Sequence, residues 1–483
     1  MQMNTPFRPV LLSVTGILDL ALIVAVLTVS DSDRRIWLPM PGTAAVLGAV
    51  SGATTRFPDY DENYPPTEGS TPVFRLSQDY PTSIDEAEQF PWIEQQIDVR
   101  KEWFRYLKVV YDYCLEGNIA ESVDFAGELN PVRKWYHAPW MHGDGHKGGN
   151  GREFHYGLTR ERHVPRYELH HDQRAGVENW AIGIYNARAA YTLGKVWNTA
   201  TGFPDPTQAA FAPNSVAFKL LFTDATDTEA PFLKGSMERT ANIYERPANG
   251  GNEINPASPR IDRTVRLLQI DIAVRDTSLN DASGWVFGTY MYDASAPGTT
   301  VWEKMVPVGV SWGDDPGITD MMNDDGCFEN NLLHETKLNT SLIWKTGQEY
   351  GNRAHVLSHG LGGRLKGPVD NPVSSCISCH GRAATWQDAF PLSKPSGSPM
   401  PQGLFSKPRK DFKKSDLDRF FKLMKPGAYP FEDTQGKWFV TTDYSLQLTY
   451  GIRNFYEYLR FKKITPPAVG AKYPLPTVTR GQE

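Results

Sequence analysis

Apolar residues recur at helical spacing near both ends of this chain and at strand spacing between them. From Pro91 to Glu116, Ile93, Ile97, Phe104, Leu107, Tyr111 and Cys114 share one face, a proline opens the run and Gly117 closes it. That pattern predicts one amphipathic helix. Tyr444 to Phe461 (YSLQLTYGIRNFYEYLRF) predicts another, and Glu178 to Trp197, with Trp180, Ile184, Tyr191 and Val196, a third. A short helix from Asp416 to Met424 is expected, capped by Ser415 and stopped by Pro426-Gly427. Between them, Ser215 to Thr223, Thr264 to Arg275, Gly284 to Tyr292 and Val306 to Trp312 are β-branched or aromatic runs bounded by Asp, Pro, Gly and Asn. In the second, Val265, Leu267, Gln269, Asp271 and Ala273 alternate with Arg266, Leu268, Ile270, Ile272 and Val274, so one face is core. No strand–helix–strand alternation accompanies these runs, which predicts an antiparallel sheet or small sandwich over about residues 200 to 345.

At the N-terminus, Val10 to Val29 is an apolar run after Arg8, broken by Asp19 and followed by Asp31, Asp33, Arg34 and Arg35. It reads as an export signal or an uncleaved membrane anchor over residues 1–35. Ile36 to Tyr80 is rich in Pro, Gly, Thr and Asp without sustained periodicity, as in an extended arm. The 483 residues allow two to four domains, and a net charge of -6 without a basic block argues against nucleic acid as a partner. The 13 Trp and 21 Tyr suit a β-rich body or a ligand pocket as well as a large core.

The chemistry concentrates at Cys376-Ile377-Ser378-Cys379-His380, a C-x-x-C-H run. Two thiols about one helical turn apart, followed at once by an imidazole, suit covalent attachment of a c-type haem with His380 as axial ligand. A zinc site would want a second ligand pair, and Cys114 and Cys327 are far apart in sequence. A thioredoxin-like centre would sit in a βαβ unit, whereas Pro368, Asn371 and Pro372 precede this motif. Asn371 as cap and Pro372 at the first helical position would open a short helix over Val373 to Arg382. Cys114 reads as a buried free thiol, with a Cys114–Cys327 disulfide open in an exported chain.

Through Cys376, Cys379 and His380 the chain resembles the c-type cytochromes over roughly its last ~120 residues, a small-domain length. The resemblance implies one covalent haem c, Cys376 and Cys379 as thioether cysteines, His380 as axial ligand and a redox partner protein. The residue patterns predict an α+β chain, with a mixed, antiparallel β-rich domain and flanking helices over residues 36–350. A mostly α-helical cytochrome c-like haem domain follows over 351–483. Met400, in Ser398-Pro399-Met400-Pro401, is the first choice for the sixth ligand, ahead of Met424, His355 and His359. Arg364 or Lys366 would pair with haem propionates. The β region followed by a single C-x-x-C-H is also similar to small monohaem cytochromes that oxidise hydroxylamine or nitric oxide and carry a strand lysine crosslinked to the haem. That likeness points to Lys219, which interrupts an apolar strand, while simple alternation predicts a solvent-facing lysine there.

Seven histidines fall between residues 131 and 175: His137, His142, His146, His155, His163, His170 and His171. They suggest a polar Gly/His loop, a metal site at His142-Gly143-Asp144-Gly145-His146, or a distal group over the haem. The expectation is an extracytoplasmic electron carrier. The alternative is a haem enzyme, peroxidase-like or oxidising a small nitrogen compound, and the sixth coordination position decides between them.

Overall fold

The computed structural model describes residues 74, 76–141, 153, 156–197, 203–244, 260–316, 333–342, 360–372, 374–386, 413–432 and 438–461. Its centre is an eight-stranded antiparallel sheet. The strands are β1 (Thr159–Val164), β2 (Val177–Tyr185), β3 (Val216–Thr223), β4 (Glu238–Tyr244), β5 (Arg260–Arg275), β6 (Trp285–Tyr292), β7 (Met305–Ser311) and β8 (Thr336–Leu338). They run in the order β1-β2-β3-β5-β6-β7-β8. The 16-residue β5 holds the sheet together: its first half pairs with β4, its second half with β3 and, on the other edge, with β6.

Both faces of this sheet are covered, each for a reason visible in side-chain size. On one face Phe218, Leu220, Ile270, Ile272, Val274 and Val310 form the main core with α2 (Val99–Leu115), which follows the one-turn α1 (Pro91–Glu94). Tyr111 of α2 stacks on Tyr290 of β6 at 4.3 Å between ring centroids. The opposite face carries small residues at Ala217 and Ala273, flanked by Tyr185, Trp285 and Phe287. Above it lie α3 (Ala187–Val196) and α6 (Leu446–Phe461), with Leu448, Ile452 and Phe455 turned inward. Between these helices in the chain come α4 (Cys376–His380), β9 (Ala384–Trp386), α5 (Lys414–Phe420), β10 (Pro430–Glu432) and β11 (Trp438–Thr441). The three strands form a separate small sheet in the order β10-β11-β9.

The four predicted strands are present as β3, β5, β6 and β7, and the antiparallel α+β class holds. Several expectations need correction. Glu178 to Tyr185 belongs to β2 and is not helical; it lies between β1 and β3, buried on both sides, so its apolar run has no period-2 signature. The helix after it starts at Ala187, where Asn186 caps it by accepting from the Ala189 N–H at 3.0 Å. The single helix expected over 91–116 breaks at Gln96, whose φ is +50°, and restarts with Asp98 as N-cap. Ile93 and Phe104, expected on its core face, are exposed. The helix expected over 416–424 is Lys414–Phe420, with Phe420 and Phe421 buried against Leu361.

From 360 to 461 the described residues alternate short strands with three helices in place of a mostly helical haem domain, and the C-x-x-C-H segment packs directly on the large sheet. Residues 1–35, most of the expected arm, Cys327, Met400, His355, His359, His142, His146 and His155 lie outside the described residues. Among the described residues no helix is long and apolar enough to cross a membrane.

Candidate functional site

The C-x-x-C-H segment forms the five-residue α4. Its cap is Ser375, one residue before Cys376, and not the expected Asn371 and Pro372. The Ser375 hydroxyl accepts from the Ser378 N–H and the Ser378 hydroxyl accepts from the Ser375 N–H, a reciprocal capping box. Ser375 Oγ also donates to Asp314 Oδ1 at 2.6 Å, which ties the helix start to the loop after β7. Just upstream, Gly367 to Asp370 crosses β5: the Val369 N–H donates to Gln269 Oε1 at 3.1 Å, and a Cβ at Gly367 would collide with that same amide. Only glycine allows this approach.

Both thiols are half-buried. Burial pushes Cys379 up to about 12 and raises Cys376 as well, the latter also through Asp370 and Asp271. Cys379 Sγ lies 2.7 Å from Ser374 Oγ. Each therefore stays a thiol at neutral pH, the opposite of the depressed thiolate that a redox-exchange centre uses.

His380 is held by one strong contact. Its Nδ1 is 2.8 Å from the Tyr444 carbonyl, and a carbonyl only accepts, so Nδ1 carries the proton and Nε2 keeps its lone pair. Burial pulls the imidazole down to about 4, against the pull of the Tyr444 carbonyl, so the ring is neutral at pH 7. The face of the ring leans on Phe287 at 4.5 Å between centroids.

His380 opens onto a cavity of about 150 Å³ between the small-residue face of the sheet and the start of α6. Two cross-strand rows form its floor. One runs Tyr185–Ala217–Ala273–Phe287, the other Gly183–Lys219–Asp271–Thr289, each residue paired with the next across neighbouring strands. The first row is flat and apolar because two of its members are alanines. The second is polar, and Gly183 leaves room for the Gln447 amide from α6, where any Cβ would collide. Tyr185 donates its hydroxyl to Gln447 Oε1, which fixes that amide over the floor.

Lys219 therefore does not face solvent as alternation predicts. Its side chain is 25% exposed and lies in the cavity, its Nζ 3.3 Å from Glu161 Oε2. Burial pulls the Lys219 ammonium down, but Glu161, Asp271 and Asp370 outweigh it and the net shift is upward, so it stays charged. Asp271 Oδ1 accepts from Gln269 Nε2 at 2.7 Å and from Thr289 Oγ1 at 2.8 Å. Burial, then Asp370, raises the Asp271 carboxyl despite Lys219 beside it.

Other anticipated residues go elsewhere. Arg364 is fully buried and spends its guanidinium on the Asp314 carbonyl at 2.7 Å and on the Phe421 ring at 3.9 Å, so it does not line the cavity and is not a propionate partner there. Lys366 is buried, and desolvation followed by Arg162 lowers it to about 7. Met424 does not line the cavity either; its sulfur accepts from Arg382 Nη1 at 3.8 Å. Met141, which sequence reasoning passed over, does line it. His137 is a core histidine that accepts from the Ser77 N–H, and His163 pairs with Glu178 at 2.8 Å. His170, His171 and Asp172 gather potential ligand atoms within 4.8 Å, but the Asp172 N–H already donates to His170 Nδ1.

No protein-family model, curated protein or solved structure matches this chain. A c-type haem fits the residues present. The thiols and a neutral imidazole with its Nε2 lone pair come from one five-residue helix, of which His380 lines the cavity and Cys376 and Cys379 do not, and two alanines on the floor leave a flat apolar strip where a ring could rest.

The missed members of the site are Glu161, Asp271, Gln447 and the Tyr444 carbonyl. For Asp271 a signal existed: SVAFKLLFT and LLQIDIAV each carry one charge in an apolar strand, of opposite sign. For the others nothing local points to the site.

Proposed function

We propose that this protein is a monohaem c-type haem protein that acts as an oxidoreductase on a small polar molecule and passes electrons to a redox partner protein. Cys376 and Cys379 would hold the haem by thioether bonds and His380 Nε2 would be its axial ligand. The C-terminal segment 351–483 would thus supply the attachment and the large sheet the wall. Bound there, a c-type haem supplies one-electron redox chemistry and a place for a small ligand at iron. The observation that carries the enzyme reading over a simple carrier is the polar pair Lys219–Asp271, with Glu161, lining the same cavity as His380. A closed electron carrier gains nothing from buried ionisable groups, whose desolvation is costly. A catalyst uses them to orient substrate and hold protons at chosen atoms.

In this reading Lys219 holds a fixed positive charge over the pocket, and Asp271, raised by burial, is the group that carries a proton near neutral pH. Phe211, Trp285 and Phe287 give the cavity an apolar wall. Thioether attachment and the apolar run Val10 to Val29 support an extracytoplasmic location, with or without an anchor.

The test is the optical spectrum of the reduced, haem-loaded protein with and without carbon monoxide, together with cyanide titration of the oxidised form. The gas is expected to shift the reduced spectrum. Lys219→Met is expected to weaken cyanide binding by at least about tenfold, as loss of one nearby positive charge in a low-dielectric pocket requires. A low-spin reduced spectrum untouched by the gas would make the protein an electron carrier and end the enzyme reading.

A further inference from the structure

The turn that presents the Tyr444 carbonyl to His380 is unusual in its backbone. Asp443 and Tyr444 are consecutive non-glycine residues with φ of +45° and +64°, the left-handed region that side chains avoid. Such a conformation persists only where its surroundings over-determine it, and it is concentrated at functional sites. Here the surroundings are three separate segments that converge on one buried carboxylate. Asp443 Oδ1 accepts from the Trp285 indole N–H at 2.9 Å and from the Gly427 N–H at 2.7 Å, and Oδ2 accepts from the Phe211 N–H at 2.7 Å. The next side chain is fixed as well, since the Tyr444 hydroxyl donates to the Met424 carbonyl at 2.6 Å.

The same turn is bonded back to the C-x-x-C-H segment. The Thr442 N–H donates to the Ala383 carbonyl at 2.9 Å, three residues beyond His380, and the Tyr444 carbonyl takes the His380 Nδ1 proton. The carboxylate and the imidazole are thus connected through one strained residue.

We propose that Asp443 is a positioning residue that holds the Tyr444 carbonyl against His380 and thereby sets how strongly His380 donates to the iron. This rests on the reading of His380 as axial ligand. The carboxylate clamp keeps the turn from relaxing to negative φ, a change that would swing the carbonyl away from Nδ1. A histidine whose Nδ1–H is firmly hydrogen-bonded is a stronger donor, and a stronger donor stabilises the oxidised iron. A purely structural role for Asp443 would affect folding without moving the properties of the iron.

The experiment uses the full haem-loaded chain and the substitution Asp443→Asn, which fits the cavity and tolerates positive φ but puts an amide N–H against a backbone donor. The midpoint potential is expected to rise, and the iron–histidine stretching band of the reduced protein in resonance Raman to fall in frequency. Tyr444→Phe, which loses only the hydroxyl anchor, is expected to move both in the same direction by less, and it decides the matter if the Asp443 variant fails to fold. Unchanged potential and band in a folded variant overturn the proposal. If the reduced protein is six-coordinate and shows no such band, the open-iron reading fails, and the potential shift alone still tests the clamp. If His380→Ala leaves the wild-type band in place, the axial assignment fails and the clamp with it.

Discussion

Replacing His380 with alanine is expected to leave the haem attached through Cys376 and Cys379 while removing the spectrum of a histidine-ligated iron. Loss of the histidine band with covalent haem retained is the outcome that assigns the two functions of the motif separately. The same substitution has a second, haem-free readout. In the empty protein burial holds His380 down to about 4, well below the ordinary 6.5 of an unfolded chain. A group depressed in the folded state contributes stability that is present above pH 6.5 and lost as pH falls through 4, because the unfolded chain takes up the proton more readily. Chemical unfolding of the haem-free protein should therefore lose of the order of 3 kcal/mol between those limits. His380→Ala should flatten that part of the profile. It also leaves the Tyr444 carbonyl without its donor, at about 1–3 kcal/mol at neutral pH.

The second large effect concerns the support beneath α4. Arg364 is fully buried, donating to the carbonyls of Asp314, Leu361 and Asp315 and lying over the Phe421 ring. Its carboxylate neighbour Asp314 is 3.9 Å away and accepts from the Ser375 cap. Arg364→Leu strands that carboxylate and three carbonyls, and it is expected to cost about 3–5 kcal/mol, read as a fall in the urea midpoint. Asp314→Asn should be far milder. Burial raises Asp314 to about 6 in spite of Arg364, so the folded protein holds that proton more tightly than the unfolded chain does. A carboxyl raised in this way contributes stability that is full below its unfolded value near 3.8 and is lost as pH rises through 6. Asp314→Asn should remove that decline. A decline of equal size in the Asn variant would assign it to another group.

What the sequence made legible follows from range of interaction. The C-x-x-C-H motif is local, and so it could be read directly as a candidate for haem attachment. Strands β3, β5, β6 and β7 have an apolar core face and either alternation or aromatic content, so their composition betrayed them. Strand β2 did not, because an inner strand covered on both sides loses its period and imitates a buried helix. The end of α4 could be placed, but its start was missed because Ser375 is a better cap than Asn371 when Asp314, 61 residues earlier, supports its hydroxyl. The cavity was the least legible part. Lys219 reads as an ordinary exposed strand lysine until the register sets Asp271 opposite it and the C-terminal helix covers that face. No pattern within a window of residues carries that information. The same holds for Tyr444, whose role at His380 belongs to its backbone and is independent of its side-chain type.

Covalent haem at Cys376 and Cys379 is the central proposal for this protein. The most direct measurement is the intact mass of the purified full-length protein after denaturation, read beside the haem absorbance of the unfolded chain. The predicted result is one haem per chain that survives unfolding, is lost in the Cys376→Ala, Cys379→Ala double variant, and is retained in Cys114→Ala. A chain that loads no haem when expressed with a cytochrome c maturation system, or whose haem dissociates on unfolding, would contradict it.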